Sequence, residues 1–164
     1  VDLDLSYNER LFTVFLEASL GATTEQGNTA SSCPFAPLGN TLLRLNLTSC
    51  GLPHLGGGDS ETPLILGGLS QLFTLGLAEN VLTDLEGTLQ GLMPLATCLE
   101  ELDLQENPLC EEPSESTYKD FALKSTLPRI FPKLRNVDGK NLDLGGGRAM
   151  RGIREYVDDG RGAG

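Results

Sequence analysis

The chain has little of what catalytic and metal-binding sites usually require. Its 164 residues contain one histidine, His54, which without a second histidine we expect to be a surface residue. The glycine clusters at Gly56 and Gly145 lack the Gly-Lys-Ser/Thr ending of a phosphate-binding loop. Glu101 and Asp103, two positions apart, would act as an acid–base pair only if they were buried together. We therefore expect no enzyme activity, no metal and no cofactor.

Cysteines and long apolar runs are also sparse. The four cysteines (Cys33, Cys50, Cys98 and Cys110) are scattered, and no Cys-x-x-Cys pair suggests zinc or a dense disulfide cap. This spacing favours reduced thiols in the cytosol or nucleus. No apolar run approaches 18 residues, so the sequence predicts no membrane-spanning helix.

Basic residues are nearly missing from most of the chain. Residues 1–118 hold 17 acidic and two basic residues, Arg10 and Arg44, whereas residues 119–164 hold ten basic and six acidic ones. The net charges are −15 and +4. Such an acidic body repels a phosphate backbone, so we expect the main part of the chain to favour a basic protein surface over direct nucleic-acid binding.

What is present is a repeat. Four segments superimpose on the pattern L-x-x-L-x-L-x-x-(N/C)-x-L, the first of them cut short: 1–8, 42–52, 72–82 and 99–109. In each, alternate leucines face one side of a short strand and polar residues face the other. The Asn or Cys after the strand is expected to turn inward and satisfy backbone groups at the turn: Asn8, Cys50, Asn80 and Asn107.

One such strand cannot bury its leucines alone, but stacked neighbours can. The pattern therefore predicts an α/β fold, a leucine-rich repeat solenoid with a concave parallel β-sheet and with helices and loops on the convex side. Three of the four steps between units, 42, 30, 27 and 35 residues, exceed the roughly 20–29 residues of a simple repeat and indicate insertions. We expect helical segments within 9–20 and 86–99, the latter interrupted by Gly91 and Pro94.

The two ends of the array differ. The chain begins inside a repeat, so we expect further chain or another subunit to cover that edge. At the other end we expect a cap within 110–144. It consists of a helix over about 116–131, with Pro128 as a candidate break, and one further strand. The predicted domains are thus residues 1–144, an N-terminally incomplete repeat domain, and residues 145–164, a Gly/Arg-rich tail.

The capping sequence resembles two families. The run N-P-L-C…Y-K-D-F…L-P-R-I-F-P-K-L-R-N-V-D-G over 107–139 resembles intracellular leucine-rich repeat proteins of the SDS22-like class, which includes phosphatase regulators and ciliary scaffolds. A narrower likeness, Ser116-Thr-Tyr118 with Phe131-Pro-Lys-Leu134 and Asp138-Gly139, is to the leucine-rich domain of nuclear mRNA export receptors. The first resemblance implies a cytoplasmic, cytoskeletal or ciliary protein, and the second implies a nuclear one.

The tail carries Arg148, Arg151 and Arg154 at three-residue intervals, with apolar residues between them. Three interpretations remain open for it: a solvated linker, an amphipathic helix docked on the cap or a partner, or an Arg/Gly segment that touches nucleic acid.

Strand alternation selects the outward positions that would line the concave face. We expect a protein partner with a basic surface to bind there, and we expect no binding to a membrane. The function predicted is a non-catalytic interaction module or scaffold in a larger assembly, with an mRNA-export-receptor domain that binds RNA or an adaptor as the alternative. The candidate partner-binding residues are Asp2, Asp4, Arg44, Asn46, Thr48, Thr74, Gly76, Ala78, Glu101, Asp103, Gln105, Asn136 and Asp138.

Overall fold

The computed structural model describes residues 1–11, 13, 33–56, 64–111 and 127–142. Most of the segment predicted to be helical within 9–20, residues 116–126 of the predicted cap helix and the whole tail lie outside the described residues. The boundary between domain and tail at residue 144 therefore stays a prediction.

The described residues form an α/β fold around a six-stranded, mostly parallel sheet with few helices. The spatial order of the strands equals their order in the chain. The first five run parallel, and the sixth pairs antiparallel with the fifth. The strands are β1 Asp2–Asp4, β2 Arg44–Asn46, β3 Thr74–Gly76, β4 Glu101–Asp103, β5 Asn136–Val137 and β6 Lys140–Asn141.

The apolar residue at the centre of each parallel strand is aligned with that of the next strand, as the repeat pattern requires. The aligned row is Leu3, Leu45, Leu75, Leu102 and Val137. The last four are buried and Leu3 is half-buried. Because the flanking residues of each strand point the other way, one face of the sheet covers the aliphatic core and the other stays open.

Two buried asparagines join neighbouring units. Asn80 is 3% exposed; its amide nitrogen donates to the carbonyl oxygens of Leu47 (2.9 Å), Leu77 (2.9 Å) and Ala78 (3.1 Å), and its oxygen accepts from the amides of Cys50 and Leu52, both at 3.0 Å. One side chain thus satisfies five backbone groups, of which three belong to the preceding unit. The prediction for Asn80 is confirmed.

Asn107 repeats this arrangement one unit later. Its amide nitrogen donates to the carbonyl oxygens of Leu77 and Leu104, both at 2.9 Å, and its oxygen accepts from the Leu82 amide at 3.2 Å. Cys50 takes the same position with fewer contacts, and its thiol donates to the Leu5 carbonyl at 3.1 Å. These two residues therefore also turn inward as predicted.

Asn8 differs from the buried members of this series. It is exposed, and its amide nitrogen donates within its own unit, to the carbonyl oxygens of Leu5 (2.6 Å) and Ser6 (3.1 Å). It closes its own turn without joining two units.

A left-handed residue precedes each of these four turn residues. Tyr7, Ser49, Glu79 and Glu106 have φ between 55° and 60°. A non-glycine residue in this region carries a cost of about 1 kcal/mol. We infer that the left-handed residue directs the side chain of the following Asn or Cys inward. The hydrogen bonds that this side chain forms there offset the conformational cost.

Helices lie between the strands, and two differ from the sequence-based expectations. Helix α1 spans Leu85–Leu92. Asp84 caps its N-terminus, because the Asp84 carboxylate accepts from the amides of Glu86 and Gly87. Gly91 does not interrupt it: a side chain there would place a Cβ 2.4 Å from the Cβ of Leu55, so glycine allows the helix to pack closely. A 3₁₀ turn, Met93–Leu95, follows and contains Pro94.

The described part of the cap contains the short helix α2, Leu127–Ile130. Pro128 lies at the second position of this helix, where no amide donor is needed. That Pro128 splits the helix predicted over 116–131 stays a prediction, because residues 116–126 lie outside the described residues. Phe131, predicted to be helical, lies just beyond the helix and is fully buried. Two further 3₁₀ turns span Ala36–Leu38 and Pro108–Cys110.

Replacing Asn80 tests the contacts between units. We expect Asn80→Ala to lower the free energy of unfolding by about 2–4 kcal/mol, because it leaves buried carbonyl and amide groups without partners. Asn8→Ala is the matched control and should cost less than about 1 kcal/mol, since its contacts are exposed. Urea denaturation measures both. Equal losses would contradict the role assigned to Asn80.

Candidate functional site

The open face of the sheet carries two rows of side chains, set by the strand register. The first row is Asp2, Arg44, Thr74, Glu101 and Asn136; the second is Asp4, Asn46, Gly76 and Asp103. These nine residues are hereafter the concave face. They border a concavity of about 570 Å³, whose floor includes Leu3, Leu45, Leu75 and Leu102.

The structure brings ten of the thirteen candidate residues together around this concavity. They are the nine residues of the concave face and Thr48. That they bind a partner stays a prediction. Gln105 is exposed but lies beyond the concavity, where its side-chain amide donates to the Asp103 carboxylate at 3.2 Å.

Two candidate positions need correction. Ala78 is 8% exposed and does not line the concavity, and its carbonyl is occupied by the Ser49 amide (3.0 Å) and the Asn80 side chain (3.1 Å). Asp138 directs its carboxylate to the Leu104 amide at 2.8 Å and has a φ of 54°. It therefore stabilises the end of the sheet and does not line the concavity.

Short polar side chains on the concave face also cap the turns that follow their strands. The side-chain oxygens of Asp4, Asn46 and Asp103 each accept from the backbone amide two residues on, at 2.9, 3.1 and 3.1 Å. The pKa of Asp4 is lowered mainly by the hydrogen bond from the Ser6 amide, so this carboxyl group ionises more readily than usual. The concave face is thus charged and locally ordered.

Negative charge on the concave face is concentrated on two strands. The carboxylates lie on β1 and β4, which are separated by β2 and β3. On this face β3 carries only the small residues Thr74 and Gly76. At Gly76 a Cβ would lie 2.8 Å from the side-chain oxygen of Asn46, so glycine is what allows the Asn46 side chain to pack against this strand. Thr74 donates to the Glu101 carboxylate at 3.0 Å.

Arg44 is the one cation among the nine concave-face residues. Its guanidinium carbon lies 5.3 Å from the centroid of the Phe73 ring, a distance typical of a cation–π contact. Phe73 was absent from the candidates because it lies just before a strand, where alternation makes no prediction. The signal that could have found it is an apolar residue at the same place in three successive units, Val1, Leu43 and Phe73.

Other classes of site were sought in the described ranges. No cluster of three His, Cys, Asp or Glu side chains there has the arrangement of a metal site, and no helix there is long and apolar enough to cross a membrane. His54 is exposed, as predicted, and its Nδ1 accepts from the Gly56 amide at 3.2 Å.

The four cysteines lie among the described residues as thiols. Burial raises the pKa values of Cys33, Cys50 and Cys98 above the ordinary range, because an apolar environment disfavours the thiolate. Their thiols donate to backbone carbonyls, Cys33 to Ile65 at 2.8 Å and Cys98 to Leu95 at 3.5 Å. We infer a structural role for them.

Comparison with solved structures supports the fold. Eighteen chains match, and one is a chain from a structure of the Chaetomium Mex67:Mtr2 subunits, with a TM-score of 0.51 and 19% sequence identity. The match covers 85% of this chain and 82% of that one. At this identity the likeness concerns the fold alone. No family model and no curated protein sequence matches the chain.

Thiol reactivity tests the burial of the cysteines. In the native protein we expect Cys110, the half-buried cysteine, to react with a thiol reagent before Cys33, Cys50 and Cys98.

The pH dependence of stability is a second test. Because folding raises the pKa values of the three buried thiols, the unfolded state loses the thiol protons at lower pH than the folded state, and stability should fall as pH rises past the ordinary thiol pKa of about 8.5. Mass spectrometry of alkylated peptides and urea titrations at several pH values would measure both effects. Equal labelling of all four would contradict the described burial.

Proposed function

We propose that this chain is a leucine-rich repeat solenoid that acts as a non-catalytic protein-docking module, of the kind carried by nuclear mRNA export receptors. The observation that carries the proposal is the open concave face, which borders a concavity of about 570 Å³ and carries carboxylates on β1 and β4. Repetition of the Asn80 and Asn107 bridges supports the solenoid.

Two independent likenesses favour the export-receptor interpretation. The first is the sequence Ser116-Thr-Tyr118 with Phe131-Pro-Lys-Leu134 and Asp138-Gly139. The second is the structural neighbour, because Mex67:Mtr2 is a nuclear mRNA export factor that contains leucine-rich repeats. A cytoskeletal or ciliary scaffold has no comparable support, and the SDS22-like subclass rests on the cap sequence alone. We accordingly propose a nuclear location.

Charge decides which kind of partner the repeats would bind. The concave face carries Asp2, Asp4, Glu101 and Asp103 against Arg44. Binding to RNA relies on neutralising phosphates with basic side chains, and this surface has the opposite sign. A protein adaptor with a basic surface fits it, since complementary charge accelerates encounter and selects the partner. Mex67:Mtr2 itself is an assembly of two proteins.

Reversing the charge of the concave face tests this function. Affinity purification from nuclear extract should recover a protein set that survives RNase treatment and that Glu101→Lys/Asp103→Lys loses by at least about tenfold. Glu86→Lys/Glu111→Lys, which changes two exposed acids away from the concavity, is the matched control and should retain the set.

Recovery that depends on RNA, falls steeply with added salt and ignores both double variants would overturn the proposal. It would assign the module to RNA binding through a basic part of the chain. Circular dichroism of each variant establishes that the fold is retained.

A further inference from the structure

An apolar column borders the concave face at the ends where the strands begin. We call it the rim and define it as Val1, Leu43 and Phe73. Val1 is 60% exposed, Leu43 is 38% exposed, and Phe73 is half-buried. Single exposed apolar residues are ordinary on protein surfaces, but three aligned ones form a stripe.

Backbone hydrogen bonds fix the rim as one continuous line. The Leu43 amide donates to the Val1 carbonyl at 2.8 Å, and the Phe73 amide donates to the Leu43 carbonyl at 3.0 Å. The next two members of the line are Glu100 and Arg135, joined in the same way at 2.8 Å each. The stripe is therefore apolar beside β1–β3 and becomes charged beside β4 and β5.

The rim is adjacent to the acidic surface. Arg44 belongs to the concave face, and its guanidinium lies over the ring of the rim residue Phe73. An apolar stripe and a carboxylate-bearing face thus run side by side across the same strands. A partner that covers only one of them leaves the other in water.

We infer that the partner is a basic amphipathic helix that lies across the strands, with its apolar side on the rim and its Lys or Arg side chains over the acids of β1 and β4. The inference rests on the proposed function and names the partner that this face would take. Three strand spacings of about 4.8 Å separate β1 from β4, roughly 14 Å. About ten helical residues cover that length.

The small centre of the concave face agrees with such a partner. Thr74 and Gly76 lie on β3, between the two acidic strands, and neither places a bulky side chain in the path of a helix. The cation of Arg44 is held by Phe73, with its guanidinium carbon 5.3 Å from the ring centroid, and the carboxylates of β1 and β4 outnumber it four to one. An unstructured basic segment would gain the charge contacts but would not present one apolar side to the rim.

Two synthetic peptides and the full 164-residue chain test the inference. The first is a 15-residue amphipathic helix with Leu on one side and Arg on the adjoining side. In the second, every Leu is replaced by Gln, which keeps charge and helix propensity. Fluorescence anisotropy at about 150 mM salt, where distant exposed charges are largely screened, measures both affinities. We expect the Leu peptide to bind at least about tenfold more tightly.

Variants of the chain separate the rim from the acids. Val1→Ser/Leu43→Ser should weaken the Leu peptide about tenfold and leave the Gln peptide unchanged. Val81→Ser/Met93→Ser is the matched control, because these residues are 50% and 52% exposed and lie away from the rim, and it should change neither affinity. Glu101→Lys/Asp103→Lys should weaken both peptides.

The outcomes distinguish this inference from the proposed function. If the charge reversal weakens both peptides but the rim variant acts like its control, the rim is no part of the site and the inference is overturned, while the docking function stands. If the charge reversal changes neither affinity, or neither peptide binds, the inference and the basic-partner assignment fall together.

Discussion

The side-chain amides of Asn80 and Asn107 are the contacts on which the remaining structure depends. Each lies in the core and bonds to backbone groups of two successive units. A buried amide with its donors and acceptors satisfied in this way tolerates little displacement, since any shift leaves polar groups without partners. The second, third and fourth units are thereby fixed relative to one another, and with them the alignment of β2, β3 and β4.

From that alignment follow the features that matter for binding. Leucines align with leucines on the core side, and the rows of the concave face and the rim align on the other. The acidic flanks and the small centre exist as surfaces only because side chains from four separate strands are held in register. The basic partner that we propose would therefore contact an arrangement of side chains that no single unit contains.

Much of this could be predicted from the sequence because its physical basis is periodic. Alternation within Leu102-Asp-Leu104 separates core from open face, and Asn80 and Asn107 are the residues whose amides can satisfy a tight turn. The concave-face residues follow from the same alternation. The comparison with the Mex67:Mtr2 chain supports the fold that this periodicity predicts.

The rest depends on contacts that periodicity does not contain. The left-handed positions hold Tyr7, Ser49, Glu79 and Glu106, which belong to three residue types, because the turn uses the backbone conformation and not the side chain. Gly91 is recognisable as a packing residue only once Leu55 is known to lie against it. Asp138 was assigned to the open face because the shortness of the last strand, and hence its turn toward Leu104, is not visible in the sequence.

Native-state hydrogen exchange by NMR most directly tests whether the asparagine bridges hold the units together. The amides of Leu52 and Leu82 donate to the side-chain oxygens of Asn80 and Asn107, whereas those of Leu47 and Leu77 donate to backbone carbonyls of the next unit. The account predicts that Leu52 and Leu82 exchange as slowly as Leu47 and Leu77, because all four are released only when units separate. Exchange of Leu52 and Leu82 at the rate of an exposed loop amide would contradict it.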